Sequence, residues 1–196
     1  MVSAAPSWAL PLPTDRDLLV RRAVADDLVE LAALKRRIER RCYGHLASEE
    51  ALAIRLHRRA TAWWLVGRLA AGDLLLLAQV GGRTVGLGAA RLDHCSDGAP
   101  RVHLHSGYVE EDGYEAERAL LAARLEAAEA LGVATVTADA FVGATTATEA
   151  ADRLRQLGMA EVSAPTESPT FPGAALSHWA GSVHTALDRL DRRRTM

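Results

Sequence analysis

Residues 101–131 read RVHLHSGYVEEDGYEAERALLAARLEAAEAL, and within this stretch the spacing of apolar residues changes from two to about 3.6. Arg101 to Val109 alternates like a strand. From Tyr114 to Leu131 the pattern is helical, with Leu121, Leu125, Ala128 and Leu131 on one face and Gly132 as the stop. Upstream, Asp73 to Val80 and Arg83 to Leu92 flank Gly81-Gly82, a strong hairpin signal, and His94 to Pro100 turns the chain into Arg101. Three antiparallel strands followed by a long helix are expected. Downstream, Val133 to Phe141 is β-prone, and a helix capped by Thr146 or Thr148 runs to Leu157 and stops at Gly158. A strand near Glu161 to Ala164, a loop holding Pro165, Pro169 and Pro172, and a last strand around Ser182 to Leu187 complete this half.

The N-terminal half reads as a strand over Asp17 to Arg22, then acidic residues at Asp26-Asp27 that favour a helix start, then an apolar face of Leu28, Leu31, Leu34 and Ile38. Cys42 to Ala47 is a break. Ser48 caps a second helix whose stripe Leu52, Leu56, Ala60 and Trp63 runs toward Leu69 and ends at Gly72. Residues 1–16 form a Pro-rich arm, 17–190 one domain and 191–196 a basic tail.

A chain of 196 residues, 49% hydrophobic and 24% charged, supplies one ordinary core. A net charge of −2 excludes nucleic-acid binding driven by bulk charge, and no apolar run approaches the roughly 20 residues of a membrane helix. Met1 to Pro13 has three prolines and no basic start, so it does not read as a secretory signal. Two cysteines, Cys42 and Cys95, form no disulfide framework and suit the cytoplasm.

His103 and His105 face the same side of their strand, with His94 and Cys95 across the turn. With Asp93 or Asp97 they would suit zinc, nickel or iron. A polar strand face beside a cleft is the plainer reading, and no metal is assigned. One of these rings as a general base is a third possibility. Glu110, Glu111, Asp112, Glu115 and Glu117 suit a helix N-terminus through its dipole, or else attract a cation. Trp63 and Trp64 divide between core and surface. Arg36-Arg37 and Arg40-Arg41 read as a solvated face.

The order strand, helix, helix, three-strand meander, long helix, strand, helix, strand, strand resembles the GNAT N-acyltransferase superfamily from Leu18 to Leu190. Ala147 to Met159 (ATEAADRLRQLGM) is similar to the family's Asn-x-x-Ala-x-x-x-Tyr-x-x-x-Gly-Phe segment, and Gly113 to Gly132 is similar to its acetyl-CoA helix. The resemblance implies a single α/β (α+β) domain with a mixed, mostly antiparallel sheet flanked by helices. It also implies acetyl transfer from acetyl-CoA to an amine of a small molecule or peptide, and it allows a homodimer.

Residue by residue, the resemblance assigns the cofactor loop to Val109, Gly113, Tyr114, Glu115, Ala116, Glu117 and Arg118, with amides near Tyr108 to Glu110 holding the thioester carbonyl. Glu110 or His105 would be the base, and Tyr108 or Tyr114 the proton donor. Tyr43, Trp63 and His103 would face the acceptor. The family's Arg/Gln-x-x-Gly-x-Gly/Ala loop falls on Asp112, Glu115 and Glu117, its Asn on Ala147 and its Tyr on Leu154. A carboxylate about 5 Å from the pyrophosphate costs roughly 3 kcal/mol at an effective dielectric of 20. The alternative is therefore a GNAT-fold protein that has lost acetyl-CoA chemistry, acting as a binding or dimerisation module or reused through its histidine and acidic cluster.

Overall fold

The computed structural model describes residues 18–44, 48–95, 98–110, 113–142, 145–168, 171 and 174–192. The arm and residues 193–196 of the tail lie outside them. The strands are β1 (Leu18–Arg22), β2 (Leu74–Val80), β3 (Arg83–His94), β4 (Pro100–Val109), β5 (Thr135–Val142), β6 (Ala160–Glu167) and β7 (Ala175–Ser182). They form one sheet in the order β1-β2-β3-β4-β5-β7-β6. Only β4 and β5 pair in parallel, as expected for strands joined by a helix. The Gly81-Gly82 hairpin forms with both residues at positive φ, 56° and 80°, which the tight two-residue turn requires.

Helices cover both faces. On one lie α1 (Leu28–Tyr43), α2 (Glu49–Arg59) and α3 (Ala62–Ala70); on the other α4 (Tyr114–Ala130), α5 (Thr145–Gln156) and α6 (Val183–Arg192). The run Leu74 to Leu77 is buried residue by residue, because alternate side chains enter different cores. Leu74 and Leu76 join α4 and α6, whereas Leu75 and Leu77 join Leu28, Leu31 and Leu34 of α1. α4 meets the sheet through Ala116, Ala119, Ala123 and Ala127, small residues that permit a close approach.

Two expected elements differ. The single helix from Ser48 toward Leu69 is two helices, because Thr61 Oγ1 accepts the Trp64 N–H at 3.2 Å and starts α3 afresh after the non-helical Ala60. The last strand, expected at Ser182 to Leu187, is instead the Val183–Arg192 helix, and the strand lies just before it. Val183, Ala186, Leu187 and Leu190 follow the i, i+3, i+4, i+7 spacing, and Ser182 Oγ accepts the Thr185 N–H at 3.3 Å.

Two irregularities shape the centre. β4 and β5 pair only from Arg101↔Thr135 to Leu104↔Ala138, after which each stays with its outer neighbour to Val109 and Val142, so a wedge opens between them. β4 also bulges, with Ala89 opposite His105 but Leu87 opposite Tyr108. Strict alternation sends Tyr108 to the face opposite His103 and His105. The extra residue returns it to the α1 face, where it is buried with Leu31 and Leu75.

Candidate active site

The wedge is occupied from both sides. A cavity of about 220 Å³ opens on the α1 face, lined by Lys35, Arg55, Arg59, Trp64, His103, His105, Tyr108, Asp139 and Phe141 among others. A second, of about 230 Å³, opens on the α4 face between Tyr43, Leu121, Arg124, Arg153, Leu154 and Leu157. Leu104, His105, Asp139 and Phe141 line both. At the parting of β4 and β5 an imidazole and a carboxylate thus border cavities on both faces of the sheet.

Asp139 is held by His178, whose Nδ1 lies 2.8 Å from Oδ1, while Thr166 Oγ1 lies 2.9 Å from His178 Nε2. In this network Nδ1 faces the carboxylate and Nε2 the hydroxyl. His103 Nε2 stands 3.7 Å from Asp139 Oδ2, and its Nδ1 lies 3.1 Å from Thr137 Oγ1. Burial holds both central histidines below the ordinary imidazole value; Asp139 opposes it at His103, whereas Arg68 adds to it at His105, which falls to about 2. His105 is therefore a very weak base, and its buried Nε2 has no hydrogen-bond partner among the described residues.

Below the α1-side cavity lies a charged cluster that sequence reading missed. Glu39 Oε1 accepts from Lys35 Nζ, from Tyr108 OH at 2.8 Å and from Arg55 Nη2 at 2.9 Å; Lys35 Nζ also lies 2.9 Å from Tyr108 OH. Burial opposes ionisation of Glu39, yet Lys35 and Arg55 outweigh it and keep the carboxyl below its ordinary value. Burial lowers Lys35 to about 8, against the pull of Glu39 and with the push of Arg55 and Arg59. Burial also raises the Tyr108 phenol well above its ordinary value, and Glu39 adds to that. A signal existed: Lys35, the chain's only lysine, shares the apolar stripe of Leu28, Leu31 and Ile38.

Arg124 is the other missed residue. Its guanidinium is 3% exposed and bridges the carbonyls of Ala89 and His105 at 3.2 and 2.8 Å, groups beside the bulge. A Cβ on Gly88 would stand 3.1 Å from its Nε, so the glycine makes room for it.

The other expected site residues scatter. Glu110 pairs with Arg37 and Arg83, each at 2.9 Å, and lines a separate outer cavity with Arg41, Gly113, Glu115 and Ala116. Its amide donates to Val85 O at 3.0 Å and is thereby occupied. Arg37 and Arg41, expected to be solvated, also line that cavity, and Arg41 Nη2 donates to Val109 O at 3.3 Å. Tyr108 faces the α1 side and is locked to Glu39, whereas Tyr114 is 59% exposed in a groove with Arg118 and Arg153. Neither phenol lines the α4-side cavity. Tyr43 does, packed 5.4 Å from Phe141 and from Phe171. Trp63 is 84% exposed, and Trp64 takes the place expected for it in the cavity wall, because α3 starts anew at Thr61 and turns that neighbour inward. Arg118 donates to Leu190 O at 2.6 Å and ties α4 to α6. Among the described residues no three of His, Cys, Asp and Glu are grouped to hold a metal.

The α4 N-terminus fits a phosphate group better than its sequence does. It begins at Gly113 with no side-chain cap, which leaves first-turn N–H groups open. Glu117 is neutralised by Arg153 of α5, and Glu115 turns to the arginine-lined outer cavity. Leu154, where the resembled family has tyrosine, lines the α4-side cavity.

No family model matches the chain, and no curated protein does. Solved structures do. A GCN5-related N-acetyltransferase from Rhodopseudomonas palustris superposes with a TM-score of 0.65 at 19% identity, over 90% of this chain and 99% of that one. The PaiA N-acetyltransferase of Thermoplasma acidophilum, solved with coenzyme A, gives 0.62 at 12% identity over 82% and 97%. The ribosomal-protein-alanine N-acetyltransferase of Brucella melitensis gives 0.61 at 24% identity over 84% and 99%. Across nearly its whole described length, this chain has the GNAT N-acyltransferase fold.

Proposed function

We propose that the chain transfers an acetyl group from acetyl-CoA to an amine. The observation that carries the reading is the parting of β4 and β5, where cavities on opposite faces share His105 and Asp139 in their linings. Acetyl-CoA, bound on the α4 side, supplies the acyl group as a reactive thioester. The open N–H groups of the first turn of α4 and the guanidinium of Arg153 suit its pyrophosphate. The amine enters from the α1 side.

Asp139, oriented by His178, accepts the proton of the attacking amine. This role passes to it from His105, which burial makes too weak a base, and from Glu110, which is committed to two arginines in another cavity. The phenol of Tyr43 is the proton source nearest in kind to the tyrosine missing at Leu154. Arg124 fixes the bulge and presents a buried positive charge to the same cavity. A cytoplasmic location belongs to this reading, since Cys42 and Cys95 are both free thiols. Among the described residues no helix is long and apolar enough to cross a membrane.

The test is release of free thiol from acetyl-CoA in the presence of a panel of amines, with thermal-shift titration of acetyl-CoA alone. Turnover with at least one amine and stabilisation by acetyl-CoA are expected. Neither effect, at millimolar amine and acetyl-CoA, would leave the alternative of a chain without acetyl-CoA chemistry.

A further inference from the structure

Charge on the α1-side cavity is one-sided. Lys35, Arg55 and Arg59 line it from α1 and α2, and Glu39 pairs with the first two. Arg59 makes no ion pair among the described residues, and its charge is held near Arg55, which lowers its pKa after burial does. Asp139 also lines the cavity, from β5 in the wedge, where it is engaged by His178. The lining therefore sets its cations on the two helices and a carboxylate on the sheet. Arg55 is fixed in that lining, stacked 4.9 Å from the Tyr43 ring and 4.6 Å from the Phe171 ring.

We propose that the acceptor is a small amine carrying a carboxylate, which the wall of Lys35, Arg55 and Arg59 holds while the amine faces Asp139. The proposal rests on the acyl-transfer reading and names its substrate class. A guanidinium suits a carboxylate through paired N–H donors, and the burial of Lys35 and Arg55 strengthens the attraction, whereas Arg59 is exposed. The opposite orientation sets an ammonium against a wall that keeps a net positive charge after Glu39 is counted, and a carboxylate against Asp139. The cavity, of about 220 Å³ and open to solvent, has room for an amine of amino-acid size.

The experiment compares three short primary amines that differ in their far end: 3-aminopropanoate, propylamine and 2-aminoethyl phosphate. Acetyl transfer to each is measured with acetyl-CoA. Their binding in its absence is followed through the side-chain signal of ¹⁵N-labelled Lys35, the only lysine in the chain. The expected result is that kcat/KM for 3-aminopropanoate exceeds that for propylamine at least tenfold and that only the carboxylate probe moves the Lys35 signal. Arg59→Gln should cut that selectivity about tenfold, while Arg58→Gln, on the neighbouring exposed position of α2, should preserve it. Equal transfer to propylamine with no shift of Lys35 overturns the proposal and leaves the acyl-transfer reading intact. Preference for the phosphate probe overturns the carboxylate assignment. A Lys35 shift with 3-aminopropanoate but no transfer to any probe supports the anion wall and counts against the acyl-transfer reading alone.

Discussion

Replacing Glu39 by Gln removes the counter-ion of the buried cluster, and the consequence depends on pH in a way that can be worked out. With the cations still charged, breaking a buried pair costs about 3–5 kcal/mol. A unit charge about 4 Å away at an effective dielectric of 20 contributes about 4 kcal/mol, and 1.36 kcal/mol moves a pKa by one, so Lys35 falls from about 8 to about 5. In the native chain Lys35 titrates below its unfolded value, so the folded state binds fewer protons between about 8 and 10.5 and stability rises with pH across that window. In the variant the same window opens at about 5. The deficit relative to the native chain should therefore be about 5 kcal/mol at pH 5 and shrink by about 1.4 kcal/mol per pH step. What remains at pH 8 comes from Arg55, which keeps its proton. Urea unfolding between pH 5 and 8 measures the deficit, and the ¹⁵N-Lys35 signal reports the titration separately. A deficit that is flat across this range, with Lys35 still titrating near 8, would refute Glu39 as its counter-ion.

Asp139→Asn should lower kcat at least a hundredfold with little change in the KM for acetyl-CoA, and Tyr43→Phe should lower kcat by less, since water can replace a proton donor; steady-state kinetics distinguish the two. His105→Gln should leave the midpoints of the pH–rate profile between pH 5 and 9 where they are, because the native ring is neutral throughout that range. Glu117→Gln removes one carboxylate from Arg153 and should tighten acetyl-CoA binding severalfold at 50 mM salt, with the gain shrinking at 500 mM. Calorimetry that finds no change would place the pyrophosphate away from Arg153. Thr61→Ala should cost about 1 kcal/mol of stability through the lost α3 cap, read by thermal unfolding.

Elements whose signals are local were legible in the chain. The Gly81-Gly82 turn, the change of period at Tyr114 and the stops at Gly132 and Gly158 each depend on a few adjacent residues, and they gave the meander, the long helix and the parallel β4–β5 pair. The last helix was missed because Ser182 to Leu187 is β-prone over six residues, and its amphipathic face emerges only when Leu190 is counted. The site was less legible because it is made by distant contacts. A one-residue bulge sets the face of Tyr108, and no local pattern at Ser106-Gly107 announces it. Lys35, Glu39, Arg55 and Tyr108 come from two helices and a strand, and their charges acquire shifted titrations only when packing removes water from around them. Likewise Glu117 reads as an obstacle to phosphate while its neighbours are those of the sequence. Arg153, 36 positions along, neutralises it once α5 packs beside α4. Propensity and turn chemistry act within a few residues and so could be read from the order of amino acids. Desolvation and charge pairing act through space, and the fold sets them.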